Sequence, residues 1–394
     1  MRQYTSVQAF CLCYNSSNCR INMFCVTYKT DNSCDRIIDY MIKNNYLYEN
    51  ELKRIAESDW IPWNRLNGVC VLITGASGMI GSYLVDLLMT RNELYNSNIK
   101  IYALGRDGAK LKKRFEKWDS KNLELVCKDV LNVSSEDYFV RDADYIIHAA
   151  SNTHPKEYAL SPVDTIKTNV LGLMRLLDAQ ICSENKAKIV VLSSVEIYGE
   201  VIKENQIYKE DDMGYINSNT LRAGYPESKR LCETMLQAYK NEYGISGNVV
   251  RLSRVYGPGV ENDDSKAMSQ FIRDALNNRD IVLKSNGKQV FSYCYVADAA
   301  SAIIKTMLDG IDGAAYNVIS PMSDCSLKEI AENLAVLSNT KVVFDVLSDV
   351  EKQGVSKSSR AVLDDSKYRL IGGRSVYTMK QGLCNTLRMM RQEV

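Results

Sequence analysis

Val69-Cys70-Val71-Leu72-Ile73-Thr74-Gly75-Ala76-Ser77-Gly78-Met79-Ile80-Gly81-Ser82 is the stretch whose reading decides the fold. Its first six residues are uncharged and rich in branched side chains, the composition of a strand buried on both faces. Three glycines then recur at three-residue intervals, where the strand pattern gives way to a helix predicted over about 79–91. Gly75 permits a tight turn, Gly78 lets backbone approach a pyrophosphate, and Gly81 lets the helix close on the strand. The helix start, with Ser77, Met79 and Ile80 around it, offers N–H groups and a positive dipole end to phosphates. Strand before and helix after is the context such a turn requires.

The same stretch imitates a membrane span, because no charge occurs between Arg65 and Asp86 and a spanning helix needs roughly 20 apolar residues. Gly68, Gly75, Gly78 and Gly81, with Thr74, Ser77 and Ser82, point instead to strand, turn and helix start. Outward from it, apolar runs alternate with helical patterns. Strands are predicted at 69–74, 100–104, 123–127, 144–148, 188–193 and 247–252, and long helices at about 163–182 and 225–243. The unbroken Ile189-Val190-Val191-Leu192 fits burial on both sides. Alternation of this kind implies βαβ units and an α/β fold, a Rossmann-type doubly wound parallel sheet. Beyond about Arg254 the pattern loosens, with helices at about 265–277 and 326–338, which predicts a smaller mixed α/β C-terminal substrate domain. The division expected is an N-terminal extension over 1–60, a dinucleotide-binding and catalytic domain over 61–252, and a substrate region over 253–394 interleaved with it. Within the extension, 1–34 has no clear period and is expected to be poorly ordered, whereas 35–58 suits one or two amphipathic helices.

The 394 residues are 45% hydrophobic and 25% charged with a formal net charge of +1, which leaves no footprint for nucleic acid or an anionic membrane. An anionic substrate would have to be met locally. No secretory signal is visible, so a cytoplasmic protein is expected. Of the 12 cysteines, Cys11, Cys13, Cys19, Cys25 and Cys34 fall early, but their spacings match no paired zinc pattern and no histidine is near. No metal is expected, and the cysteines read as free thiols.

Further residues fit a dinucleotide. The second strand ends in Gly105-Arg106, where NAD sites usually carry an acid and NADP sites an arginine, so both cofactors stay open. Asp129-Val130 after the third strand could meet the adenine edge, and Ala149-Ala150-Ser151 after the fourth keeps side chains small beside the cofactor. Tyr225 and Lys229 lie four residues apart on one helical face. A neighbouring cation can lower a phenol's pKa by roughly 1–3 units, enough for the tyrosine to act as a base, and Lys229 would also reach the nicotinamide ribose. Ser194, at the end of the fifth strand, could share the proton, and Glu196 could serve as a second acid or base.

Together, Thr74–Gly81, His148-Ala149-Ala150, Asn169, Ser193–Gly199, Tyr225 with Lys229, and Arg251–Pro258 resemble the extended short-chain dehydrogenase/reductase family. The resemblance is to its nucleotide-sugar epimerase/dehydratase branch and spans about 60–317. It implies NAD as cofactor, Asn169 near it, a nucleotide-sugar substrate, a homodimer formed through two helices per subunit, and chemistry through a 4-keto sugar. It also implies Ser193, Arg254 and Lys288 as substrate-binding residues. Sugar 4,6-dehydratases of the branch carry Thr-Asp-Glu, and glucuronate decarboxylases Thr-Ser-Glu, where this chain has Ser194-Val195-Glu196; 4-epimerases usually lack the glutamate. A decarboxylase- or dehydratase-like lyase is therefore expected, with Val195 speaking against a standard dehydratase. Phe291 departs from the arginine usual at its position, a loss that Arg254 or Lys288 could offset. The rivals are a 4-epimerase, an NADPH-dependent ketosugar reductase and a non-catalytic dinucleotide sensor.

Overall fold

The computed structural model describes residues 45–118, 121–152, 160–200, 206–260, 264–345 and 360–392. The expected disorder of 1–34, the five early cysteines, and the part of the predicted helical segment before Asn45 lie outside the described residues.

Seven strands form one wholly parallel sheet: β1 (Cys70–Thr74), β2 (Lys100–Gly105), β3 (Leu123–Cys127), β4 (Tyr145–His148), β5 (Lys188–Ser194), β6 (Gly247–Leu252) and β7 (Ala315–Val318). Their order is β7-β6-β5-β4-β1-β2-β3, so the direction of winding reverses between β1 and β4. Sequence reading finds the first six strands within a residue at each end. It misses β7, four residues between turns, too short to carry a periodic signal. It also misses the short helix Gly108–Arg114 between β2 and β3, which Asp107 caps by accepting from Lys110 N at 2.9 Å.

The sheet is covered on both faces, and its strands divide their side chains accordingly. Val71, Ile73, Ile101, Ala103, Ile147 and Val190 pack into one core; Leu72, Tyr102, Leu104, Ile146, Ile189 and Val191 pack into the other. Burying each such aliphatic side chain contributes about 1.5–3 kcal/mol. The principal helices are α1 (Tyr46–Ala56), α2 (Met79–Tyr95), α3 (Pro162–Ile181), α4 (Gly224–Tyr243), α5 (Val296–Asp309) and α6 (Met379–Met390). Residues of α2 and α5 share the first core, and residues of α3 and α4 the second. The helix predicted to stop near Arg91 runs one turn further, until Asn96 adopts the left-handed conformation. The uncharged run that imitates a membrane span is β1, the glycine turn and the start of α2. No helix among the described residues is long and apolar enough to cross a membrane.

A smaller mixed sheet, Cys325–Ser326, Val290–Phe291, Arg360–Leu363 and Ile207–Tyr208, completes the fold. Asn317 of β7 fastens it to the large sheet, its side-chain amide donating to the carbonyls of Tyr208 (3.0 Å) and Asp364 (3.1 Å).

Helix α1 docks through buried polar groups as well as apolar ones. Tyr48 donates its hydroxyl to Asp86 of α2 (2.8 Å), a carboxylate that Arg114 and Trp118 also bind. Glu51 accepts from Tyr83 of α2 (3.0 Å), Tyr295 (3.3 Å) and Asn385 of α6 (3.3 Å). Burial pushes the Glu51 carboxyl up to about 7 from an ordinary 4.5, its hydrogen bonds only partly opposing the rise. As pH climbs, the unfolded chain therefore ionises at this site before the folded one. The stability tied to neutral Glu51 is complete below pH 4.5 and is lost as pH rises through 7. Urea unfolding of wild type and Glu51→Gln at a series of pH values should move their difference toward the variant by about 3 kcal/mol across this window. A pH-independent difference would refute the assignment.

Candidate functional site

The site forms beyond the C-terminal ends of the strands, at the β1/β4 reversal, where open parallel sheets hold their ligands. Gly75 sits there with φ +66°, and a methyl group on it would lie 2.8 Å from the Ala149 carbonyl oxygen and the Ala150 nitrogen. Gly81 is pressed against the same turn, so that its added methyl would collide with the Gly75 carbonyl oxygen. Gly78, the N-cap of α2, differs: its methyl would meet only that oxygen, at 3.4 Å. Two glycines thus close the turn, and the third opens a cradle in front of the helix N-terminus. That shape, with Ser77, Met79 and Ile80 around it, fits the pyrophosphate of a dinucleotide.

Other residues of the predicted cofactor site surround the cradle. Arg106 is exposed at the end of β2. Asp129 caps the turn Val130–Asn132, accepting from Leu131 N at 2.9 Å, and Val130 is buried against Gly172 of α3, where a methyl would lie 2.9 Å from Val130 Cγ1. Ser151 Oγ donates to Asn169 Oδ1 (2.7 Å), Asn169 Nδ2 to Ser228 Oγ (2.8 Å), and Ser228 Oγ to the Tyr225 carbonyl (2.7 Å). This relay joins the loop after β4 to the first turn of α4. Thr74 and His148 stand under it, with Thr74 Oγ1 3.0 Å from His148 Nδ1 and accepting from Ala150 N at 3.2 Å. Burial, and then the charge of Lys229, lowers the His148 pKa to about 3, so its ring is neutral at physiological pH.

Tyr225 is 7% exposed and lies in the first turn of α4, where the positive end of the helix dipole favours a phenolate. Lys229 is one turn on, also buried, with its ammonium 5.9 Å from the centre of the Tyr225 ring and hydrogen-bonded to the Leu192 carbonyl at 2.8 Å. The Leu192 carbonyl fixes the position of this ammonium over the Tyr225 ring. Desolvation pushes the Lys229 pKa down. Ser194 ends β5, and its hydroxyl oxygen accepts from Glu196 N at 3.2 Å, capping the turn Val195–Tyr198.

Glu196 is gripped from both sides, by Arg222 Nη2 on Oε2 (2.7 Å) and by Arg254 Nη2 on Oε1 (3.5 Å). Val195 points into the core. Ser193, expected to bind substrate, is buried on the opposite face of β5 from Ser194 and gives its hydroxyl to Glu233. Glu233 pairs with Arg251 Nη2 at 2.7 Å, and Arg251 continues to Tyr198 and the Glu210 carbonyl. Ser193 thus belongs to a buried network joining β5, α4 and β6. Lys288 is exposed and makes no ion pair among the described residues; it does not join Arg254 at Glu196. Sequence reading passed over Arg222, Thr74 and Ser228. The last two lie inside the motifs it quoted, whereas no motif marks Arg222.

Comparison with known proteins supplies the remaining context. A model described as the NAD dependent epimerase/dehydratase family matches residues 71–318. UDP-glucuronic acid decarboxylase 3 of Arabidopsis thaliana is 30% identical over 310 residues, covering 77% of this chain and 86% of that protein. The solved UDP-glucuronic acid 4-epimerase of Bacillus cereus, in complex with UDP-glucuronic acid and NAD, superposes with a TM-score of 0.70 at 20% identity, over 82% of this chain and 99% of its own. The dTDP-glucose 4,6-dehydratase of Bacillus anthracis, in complex with NAD, gives 0.68 at 22% identity, over 82% and 97%. At these identities the two structures speak for the fold.

The glycines separate packing from binding. Gly81→Ala should destabilise the protein by roughly 1–3 kcal/mol in urea unfolding, because backbone must shift. Gly78→Ala should leave stability within about 0.5 kcal/mol and weaken dinucleotide binding by roughly tenfold, about 1.4 kcal/mol in calorimetric titration. Unimpaired binding by the Gly78 variant would count against the cradle.

Proposed function

The chain belongs to the NAD dependent epimerase/dehydratase family, and on that premise we propose that it is a lyase that decarboxylates a nucleotide-linked hexuronic acid, of the UDP-glucuronate type, through a 4-keto sugar. The observation that carries the reading is the pair Val195 and Glu196. Dehydration needs an acid for the departing oxygen, and at the dehydratase position this chain turns an aliphatic side chain into the core. Glu196 is retained, held at the cleft by two guanidiniums. The likeness to UDP-glucuronic acid decarboxylases supports the same choice.

In this reading Gly75, Ser77, Gly78, Met79, Ile80, Gly81, Arg106, Asp129, Val130, Ala149, Ala150, Ser151, Asn169, Tyr225 and Lys229 hold NAD. Asp107 caps its helix, and the exposed Arg106 is why NADP stays the second choice. The chemistry that NAD supplies when bound is removal and return of the hydrogen on C4 of the sugar. Tyr225 takes the C4 hydroxyl proton, Ser194 holds the same oxygen, and Lys229 with the α4 dipole favours the phenolate. Once C4 is a ketone, the carboxyl group on C5 lies β to it. The C5–carboxyl bond breaks, carbon dioxide leaves, and the electron pair passes to the C4 oxygen, which Tyr225 and Ser194 stabilise by hydrogen bonding. A proton then returns to C5. Residues 61–252 carry the cofactor and catalytic groups, 253–394 with Arg254 shape the nucleotide-sugar side, and 1–60 form an extension.

Incubation of purified protein with NAD and UDP-glucuronate should give a product lighter by carbon dioxide in mass spectrometry. Unchanged mass with altered configuration would favour a 4-epimerase, and loss of water a dehydratase. Stoichiometric consumption of NADPH would favour a ketosugar reductase. Tyr225→Phe should lower turnover roughly 10²–10⁴-fold while the dinucleotide still binds. Binding without any turnover by wild type would leave the sensor.

A homodimer is part of the proposal. Val163, Ile166 and Leu171 on α3 and Leu231 on α4 are exposed apolar residues on two helices that pack together. Light scattering should give twice the 44.5 kDa chain mass, and Ile166→Asp with Leu231→Asp should give monomer. A monomeric wild type would refute it.

A further inference from the structure

Helix α4 turns a polar stripe inward. Tyr225, Ser228, Lys229, Cys232 and Leu236 recur at the three- and four-residue spacing of one helical face, and all five are buried. A stripe that faces a core is ordinarily apolar. Here two turns of it carry hydroxyl, ammonium and thiol groups before Leu236 restores an aliphatic contact in the core shared with α3. Polar groups taken out of water need partners, so the seating of these two turns depends on specific bonds as well as on apolar contact.

Those bonds converge on Asn169 of α3. Its side-chain Nδ2 donates to Ser228 Oγ at 2.8 Å, and its backbone carbonyl accepts from Cys232 Sγ at 3.2 Å. One residue of α3 is thus gripped at two points of α4 a single turn apart, with Lys229 between them in the chain. A single tie leaves a helix free to roll about it; a second, one turn on, removes that freedom. The difference matters for Lys229, whose ammonium donates to the Leu192 carbonyl of β5 at 2.8 Å. A roll of α4 would draw it off that acceptor.

Cys232 is suited to this use and to little else. It is 1% exposed, and burial pushes its thiol up to about 11, against the charge of Lys229, so it stays an S–H donor at physiological pH. A buried, protonated thiol is a poor nucleophile and a poor metal ligand. Packing alone asks for no donor here. An aliphatic side chain would fill the same space and extend the contact of Leu236, whereas the thiol adds a donor aimed at a carbonyl. We infer that Cys232 is a positioning residue: its thiol, acting with Ser228, clamps α4 to Asn169 and so sets the Lys229 ammonium beside Tyr225. This rests on the reading above, in which Lys229 helps to hold the dinucleotide and favours the Tyr225 phenolate.

The test compares wild type with Cys232→Ser, Cys232→Ala and Cys232→Val in the full chain, by calorimetric titration with NAD and by the pH profile of UDP-glucuronate turnover. Serine keeps a donor, and alanine and valine remove it. Valine also keeps the space filled, which covers the case in which the alanine variant fails to fold. Cys232→Ala and Cys232→Val should weaken NAD binding roughly 3- to 10-fold, the effect of one lost neutral hydrogen bond. They should also move the acid limb of the turnover profile up by roughly 0.5–1 pH unit, since a phenol with its cation displaced gives up its proton less readily. Cys232→Ser should restore NAD affinity to within about threefold of wild type and return the acid limb to its place. Wild-type affinity and an unmoved acid limb in Cys232→Val would show that the donor does nothing. Losses in Cys232→Ser equal to those in Cys232→Ala would show that only volume counts; either result overturns the assignment. If wild type turns over no sugar, the decarboxylase reading fails, and the NAD titration still decides the role of Cys232.

Discussion

The glycine turn after β1 is pressed onto the backbone leaving β4 so tightly that no side chain fits between them. A methyl group on Gly75 would sit 2.8 Å from backbone atoms of Ala149 and Ala150, and one on Gly81 would strike the Gly75 carbonyl. Thr74 Oγ1 completes the contact by accepting from Ala150 N and meeting His148 Nδ1. Because interiors are close-packed and barely compressible, this contact fixes the spacing of β1 and β4 and the entry of α2. The cradle is the space left over. Burial keeps His148 neutral, so no competing cation sits under the Tyr225–Lys229 pair.

From that contact a single polar relay reaches the reacting groups. Ser151, Asn169 and Ser228 hand hydrogen bonds from the loop after β4, through α3, to the Tyr225 carbonyl. Asn169 and Ser228 are buried, so the bond between them is made away from water, where leaving a partner unpaired costs about 1–3 kcal/mol. The relay therefore holds α4 in one register against α3, and with it the position of the phenol. Further along α4, Glu233 joins Ser193, Arg251, Tyr198 and Asn317 in a second buried network reaching the smaller sheet. Adjacent residues of one strand, Ser193 and Ser194, thus turn to opposite faces: one bonds Glu233 of α4, the other caps the turn Val195–Tyr198.

The sheet, and the nearness of Tyr225 and Lys229 on one helix, were legible because their signals are local. Unbroken apolar runs mark strands buried on both faces, the three glycines mark a turn that admits no Cβ, and Tyr225 and Lys229 mark a helical face. What escaped was long-range. The strand β7 is defined by pairing with β6, at Val318 opposite Leu252, and its four residues carry no period of their own. Arg222 lies in the single 3-10 turn Leu221–Ala223 and meets Glu196 across 26 residues, a pairing that spacing cannot express. The resemblance implied a substrate contact for Ser193, yet the period of two along a strand sends it to the face opposite Ser194. Helical spacing places Lys229 beside the phenol, but its bond to the Leu192 carbonyl depends on how deeply α4 sits on β5.

A net charge of +1 over the whole chain conceals how unevenly charge is distributed at the site. Lys229 is buried, and Arg222 and Arg254 share Glu196 as the carboxylate that meets both among the described residues. In water such an excess would be screened within about 10 Å at 0.1 M salt, but partly buried groups are screened far less. The imbalance therefore survives where a substrate would lie and vanishes at a distance. A protein built this way gains no long-range attraction for polyanions, yet it presents a local positive field to an anionic ligand once that ligand has entered. Phe291 strengthens the effect, because an aromatic face supports the guanidinium without neutralising it. An acidic side chain at 291 would pair with Arg254, and an aliphatic one would leave the guanidinium face without its ring, so the aromatic residue supports Arg254 without neutralising it.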